Sequence, residues 1–279
     1  AESSPGSTFK ILTGLIGLQE GVINENTTFF CHHGFSYGRG RFMKCHNHPP
    51  AQQLHNGIYN SCNTYFAQTY MLTINKYNNP AYAVDVWSNH VKSFGLGQYM
   101  GYDLPTGKRG NIPTSKTYKK IYPNGGWRST TIVSNSIGQG EVLMTPIQLA
   151  NMMATIANQG HYFTPHIIKK IEGEKIDPKF EVKHETTIDK KYFPPIISGL
   201  FDVYNKGTAS RLRVEGIDIC GKTGTAENFA KINGKRTQLK DHSIFVAFAP
   251  KDNPKIAIAV MIENGGFGAT IAGPIASLM

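Results

Sequence analysis

Nowhere in its 279 residues does the chain carry a run of about 18 apolar residues, so no segment reads as a membrane-crossing helix. Cysteine is scarce: Cys31, Cys45, Cys62 and Cys220 are too few for a disulfide-built scaffold. Acidic residues are in the minority, 19 against 29 Lys and Arg, for a formal charge of +10. That balance describes a solvated basic surface or one drawn to an anionic polymer or membrane surface. Nucleic acid is not the expected partner. The basic residues are scattered, as in Lys119-Lys120, Lys169-Lys170 and Lys190-Lys191, and no zinc-finger, RNP or helix-turn-helix pattern accompanies them. There is no internal repeat. What remains, 40% hydrophobic and 17% charged residues, is ordinary globular composition for one large domain or two small ones.

Against that plain background, Pro5-Gly6-Ser7-Thr8-Phe9-Lys10-Ile11 stands out. If a helix starts here, Ser7 and Lys10 share a face and the lysine amine sits beside the serine hydroxyl. A serine needs a base before it becomes a nucleophile, and a lysine whose pKa is lowered by desolvation can be that base. Pro5-Gly6 suits a turn into a helix N-terminus, where backbone N–H groups favour a developing oxyanion. The predicted helix, residues 7 to 20, is apolar over too wide an arc to be exposed, and Gly21 is its stop.

Downstream, residues 24 to 50 read as a loop rich in Gly, His, Arg and aromatics. Pro50 is placed to open a helix over 51–60. After Ser61-Cys62-Asn63 a second helix runs over 64–73, and a third over 80–94 ends at Gly95-Leu96-Gly97. Residues 101 to 130 read as a hydrophilic surface excursion. Thr145-Pro146 is an N-cap with proline at the first helical position, and starts a strongly apolar helix closed by Gly160. Short strands and turns fill 161–190, and a helix spans 193–204. Ile217-Asp218-Ile219-Cys220 leads into Gly221-Lys222-Thr223-Gly224-Thr225. After a polar loop come two apolar strands, 243–249 and 255–262, joined at Asp252-Asn253-Pro254. Their apolar content predicts an antiparallel hairpin buried on both faces, with helices covering both sides. A short helix begins at 271.

Ser7-x-x-Lys10, Ser61-x-Asn63 and Lys222-Thr223-Gly224, in that order, resemble the motif set of penicillin-binding proteins and class A β-lactamases. Ser136-Ile137-Gly138-Gln139-Gly140-Glu141-Val142-Leu143 with Thr145-Pro146, and Gly221-Lys222-Thr223-Gly224-Thr225-Ala226, look like class B penicillin-binding proteins. Asp241-His242, Phe245-Val246-Ala247-Phe248-Ala249-Pro250 and Glu263-Asn264-Gly265-Gly266 look like the elongation-type penicillin-binding protein 2 subfamily. The resemblance implies an α+β sandwich, an antiparallel sheet covered by helices on both faces, with an all-helical subdomain. It implies one transpeptidase domain over 1–279, a mostly helical subdomain over 22–160 carrying Ser61-x-Asn63, and the sheet over 205–270.

By the same resemblance Ser7 attacks a D-alanyl-D-alanine carbonyl and forms an acyl-enzyme, with Lys10 as its base. Ser61 relays a proton to the leaving amine, and Asn63 holds the donor peptide and helps to orient Lys10. Lys222, Thr223 and Thr225, beside Gly224, receive the terminal carboxylate, and the N–H groups of Ser7 and Thr225 form the oxyanion hole. Implied partners are peptidoglycan stem peptides, β-lactams and a glycosyltransferase within an elongation complex, on the periplasmic side of the bacterial inner membrane. Only six residues precede Ser7, so the family's leading strands and membrane anchor are expected to lie outside this chain. A β-lactamase of class A would carry a Glu-x-x-Leu-Asn pattern after Ser61, and none is present. A D,D-carboxypeptidase would use the same residues with water as acceptor, and a non-catalytic β-lactam sensor would keep the fold without needing Ser7.

Catalysis on this plan requires no cofactor. The loop nevertheless places Cys31, Cys45, His48 and Cys62 in one stretch, with His32, His33 and His46 nearby. Cys45-x-x-His48 is a zinc-ligand spacing, and a thiolate/imidazole set favours zinc in a closed structural site. A Cys31–Cys45 disulfide or free buried thiols are the alternatives. Cys220 is expected in the core.

Overall fold

The computed structural model describes residues 2–38, 40–104 and 107–279. A 3-10 turn, Gly6–Phe9, feeds helix α1 (Lys10–Gln19), in which every residue from Lys10 to Leu18 is buried. Gly21, at φ +66°, ends it as expected. The histidine-rich loop contains four short strands: β1 (Phe29–Phe30), β2 (Gly34–Ser36), β3 (Phe42–Lys44) and β4 (Ala51–Gln52). β2 pairs antiparallel with β3, and β1 with β4. Residues 51 and 52 are therefore strand, not the start of a helix. The first turn of α2 (Leu54–Tyr59) is instead set by the reciprocal Gln53/Asn56 cap. α3 (Asn63–Asn75) and α4 (Pro80–Lys92) follow, the latter capped by Asn79, whose side chain accepts from the N–H groups of Ala81 and Tyr82.

The stretch 101–130 is more than a surface excursion. It holds α5 (Ser115–Ile121), tied down by Tyr118, which is fully buried. The Tyr118 hydroxyl donates to Glu141 at 2.9 Å and accepts from the Asn135 amide at 2.6 Å, while the same amide donates to Tyr70 on α3. α6 (Pro146–Ala157) begins with a capping box between Thr145 and Gln148. β5 (His161–Phe163) pairs with β6 (Lys183–Glu185), and α7 (Phe193–Asn205) leads to the main sheet.

That sheet is antiparallel, in the order β7 (Cys220–Ile232), β8 (Lys235–Ala249), β9 (Ile256–Ile262). Side chains alternate across it. On one face α8 (Ala272–Ser277) lies over β8: the Ala272 N–H donates to Ser243, and Gly273 approaches Phe245. On the other face Thr8 of the 3-10 turn meets Gly224 beside Ile244. Helices thus cover both faces. Two expectations are corrected here. β9 is only half-buried, with Ile256 46% exposed, because its outer edge has no partner strand among the described residues. The polar stretch after Thr225 is not a loop: a bulge between Ala226 and Asn228 lets β7 and β8 run on as a solvated hairpin, closed at Asn233-Gly234 where both residues have positive φ.

Candidate active site and Cys/His cluster

Ser7 lies in the 3-10 turn rather than in the α-helix proper, and it is half-buried. Gly6 (φ +56°) lets the turn sit against β7, and its N–H donates to the Gly138 carbonyl at 3.0 Å, so that the Ser136–Gly140 loop clamps the turn from behind. The Thr13 hydroxyl adds a bond to the Ser136 carbonyl at 2.8 Å.

Lys10 points away from bulk water, at 1% exposure. Its Nζ donates to the Ser61 carbonyl at 2.6 Å and to Ser61 Oγ at 3.0 Å. Among the described residues it makes no hydrogen bond to Ser7. Ser61 comes to it from the junction of α2 and α3 in a left-handed conformation, φ +55°, uncommon for a residue with a Cβ. That twist turns both Ser61 oxygens toward the amine. Burial brings the Lys10 pKa down to about 8, against the opposing pull of the Cys45 and Cys62 sulfurs. The amine is thus nearer to neutral at physiological pH than a free lysine.

Asn63 opens α3, and its amide donates to the Lys44 carbonyl rather than toward Lys10. Lys222, wholly buried on β7, donates to the Thr223 carbonyl at 3.2 Å. Burial, and then the Lys10 charge, hold its pKa well below the ordinary lysine value. The Thr223 hydroxyl is bonded to that of Thr208 at 2.8 Å, and Thr225 Oγ1 accepts from the Gly268 N–H at 3.4 Å. Thr208 and Gly268 have no signal of their own in the sequence. They meet the Lys-Thr-Gly strand only because α7 and the segment after β9 fold back onto it.

The three motifs converge, and the Cys/His cluster is fused to their wall. The ligand atoms of Cys31, Cys45, His48 and Cys62 lie within 4.8 Å of one another, with His32, His33 and His46 outside the group. All four cysteines are free; Cys45 Sγ and Cys62 Sγ are 4.0 Å apart. Cys220 is buried in the core. Cys45 Sγ accepts from the N–H groups of Asn63 (3.1 Å) and Thr64 (3.3 Å) at the start of α3, and Cys62 Sγ caps the same helix through the Tyr65 N–H. The Cys62 contact, with help from Thr64, holds the Cys45 thiol well below the ordinary thiol range. The shared hydrogen bond pushes Cys62 far up, and burial raises Cys31. His48 Nδ1 faces the Pro49 carbonyl at 2.8 Å; a carbonyl only accepts, so Nδ1 carries the proton. In the neutral ring the free lone pair is then on Nε2, which is buried and without a hydrogen-bond partner among the described residues.

The profile of the penicillin binding protein transpeptidase domain matches residues 1–278. Peptidoglycan D,D-transpeptidase MrdA of Acinetobacter baumannii is 32% identical over 96% of this chain and 40% of its own length. The Haemophilus influenzae MrdA is 33% identical over 98% of the chain and 43% of its own length. The chain therefore spans less than half of these curated relatives. PBP2 of Pseudomonas aeruginosa, in complex with WCK 5153, superposes with a TM-score of 0.81 at 30% identity, covering 99% of this chain and 59% of that one. Helicobacter pylori PBP2 superposes with a TM-score of 0.80 at 25% identity over 100% of this chain and 49% of its own. With the motif order, the clamped serine turn and the matched fold all in agreement, the chain belongs to the penicillin-binding protein transpeptidase domain family.

Proposed function

We propose that this chain is the catalytic domain of a peptidoglycan D,D-transpeptidase of the MrdA type. The observation that carries the reading is the buried Lys10 amine, lowered to about 8 and bonded to both oxygens of Ser61, behind a serine turn pressed on the Lys-Thr-Gly strand. Ser7 Oγ attacks the penultimate D-alanine carbonyl and loses its proton to neutral Lys10. The N–H groups of Ser7 and Thr225 receive the oxyanion. The tetrahedral adduct collapses, breaking the peptide bond, and the proton passes from Lys10 through Ser61 to the leaving D-alanine amine. An amine of a neighbouring stem peptide then takes the acyl group and frees Ser7.

Asn63, fixed by Lys44, presents its carbonyl oxygen to the donor peptide's backbone. Lys222 is buried without an anionic partner among the described residues, so an arriving carboxylate beside Thr223 and Thr225 raises its pKa and restores its charge. A β-lactam enters as a mimic of the donor.

Cys31, Cys45, His48 and Cys62 would hold a structural zinc ion. A tetrahedral zinc with Zn–S near 2.3 Å needs sulfurs about 3.8 Å apart, which suits the 4.0 Å between Cys45 and Cys62 and the unpartnered His48 Nε2. Four protein ligands leave no open position, so the ion would fix the β2–β3 hairpin to the start of α3 and take no part in the reaction.

The relatives suggest the setting. The Helicobacter pylori PBP2 has been solved with MreC, and a 30% identical relative within a peptidoglycan synthase complex. Comparable glycosyltransferase and elongation partners, on the periplasmic side of the inner membrane, fit this chain.

Fluorescent penicillin labelling with mass spectrometry of the adduct tests the reading. A stable adduct on Ser7, absent from Ser7→Ala, is expected; folded protein that takes no label refutes it. Protein purified without a histidine tag should carry about one zinc per chain, and a metal-free folded chain refutes the zinc site.

A further inference from the structure

Away from the catalytic residues, a cavity of about 540 Å³ opens between the tip of the β2–β3 hairpin and the loop after α5. Its lining includes Tyr37, Arg41, Tyr122, Arg128, Thr130 and Thr131, and no acidic residue. Neither arginine is paired with a carboxylate among the described residues. Two arginines lining one hollow repel each other, and an anion bound between them relieves that repulsion. The guanidinium fork matches a carboxylate with two parallel N–H···O bonds. Thr131 Oγ1 already accepts from the Arg128 N–H at 3.1 Å, which leaves its own proton free to donate outward. The tyrosine rings offer flat apolar walls with polar tips, the mixture that a peptide backbone needs. Tyr122 is shared with an adjoining hollow that contains Lys116, Lys119 and Trp127, so the basic, aromatic surface continues.

The hairpin ties this cavity to the site. Asn63 is bonded to Lys44 at one end of β3, and Arg41 stands just beyond the other end. Three strand residues span about 10 Å. An extended peptide covers that distance in about three residues. A stem peptide that leaves the Asn63 end of this hairpin and runs outward along it would carry the carboxylates of its upstream residues toward the arginines.

We propose that the Arg41/Arg128 cavity is a carboxylate-binding subsite for the acidic upstream part of a stem peptide. This rests on the transpeptidase reading and extends it: recognition reaches past D-alanyl-D-alanine to a second anchoring point that penicillin does not touch.

The test is competition against fluorescent penicillin with two synthetic pentapeptides ending in D-alanyl-D-alanine. One carries a free α-carboxylate on a γ-linked glutamyl residue, and the other has that carboxylate amidated. On the unaltered protein the acidic peptide should block labelling at about tenfold lower concentration, equivalent to ~1.4 kcal/mol. The Arg41→Gln/Arg128→Gln double variant should lose the preference while its penicillin labelling rate stays within about twofold. Equal competition by the two peptides on protein that still labels at Ser7 overturns the subsite alone, and needs no variant to fold. A preference that survives in the double variant overturns it as well. Absence of penicillin labelling in the unaltered protein overturns both readings.

Discussion

Gly6→Ala is the sharpest probe of how the serine turn is mounted. At φ +56° an alanine costs about 1–2 kcal/mol of backbone strain. The new Cβ would also overlap the Thr225 carbonyl oxygen and come within 3.2 Å of the Thr225 nitrogen. The turn cannot simply retreat, because the Gly6 N–H is held by the Gly138 carbonyl at 3.0 Å. Relieving the overlap takes a shift of about 1 Å between the turn and β7. Both proposed oxyanion donors, the N–H groups of Ser7 and Thr225, flank that contact. A misplacement of about 1 Å there costs on the order of 100-fold in rate. Stability suffers less. For 279 residues the unfolding entropy is about 0.6 kcal/mol per degree, so the strain lowers Tm by only ~2–4 °C. The assay is the second-order rate of penicillin acylation, measured with Tm on the same preparation. Acylation within about threefold of the unaltered protein refutes the view that Gly6 sets the distance between nucleophile and oxyanion strand.

Three further outcomes are expected. Because burial lowers the Lys10 pKa to about 8, its neutral, basic form dominates above that pH, so the acylation rate should rise through a limb with its midpoint there; a midpoint at the usual 10.5 refutes Lys10 as the base. Glu20, although burial alone would raise it, is held at about 2 by bonds from Lys76, Tyr77 and His90, so its stabilisation is present above the usual 4.5 and is lost as pH falls through about 2. Glu20→Gln should therefore cost about 2 kcal/mol in denaturant unfolding at pH 7 and flatten the stability profile between those values; an unchanged midpoint refutes it. Cys45→Ser should lower zinc content to well below one per chain by elemental analysis, and full retention of metal refutes Cys45 as a ligand.

The sequence was most readable where one short segment carries its own instructions. Thr145-Pro146 with Gln148 spells a capped helix start, and α6 begins there. The motif triad was readable for a different reason: its residue types in that order mark the family that the chain's profile matches. The pairing inside the triad was not readable. Helical spacing places Lys10 next to Ser7, but the amine bonds to Ser61, 51 residues away, because α3 brings that turn to it. Asn63 likewise turned out to be fixed by Lys44, on a strand too short to announce itself. The β7–β8 extension did have a signal, Asn233-Gly234, which was hidden because polar strands in solvent lack the apolar alternation that marks a strand against a core.

The residue between Ser61 and Asn63 shows how closely stability and chemistry are joined in this chain. Cys62 closes the first turn of α3 with its sulfur; the residue before it, Ser61, is bonded to Lys10, and the one after it, Asn63, to Lys44. Cys45 accepts from the Asn63 N–H itself. Any group that holds these two sulfurs together, as zinc would, fixes the start of α3, and with it the Ser61 oxygens that bind Lys10. Ser61 keeps a left-handed backbone that an isolated chain would relax, so it needs that restraint. Lys10, the proposed base, is therefore positioned through Ser61 by a neighbouring cluster, which makes loosening of the cluster a loss of geometry at Lys10 before it is a loss of fold.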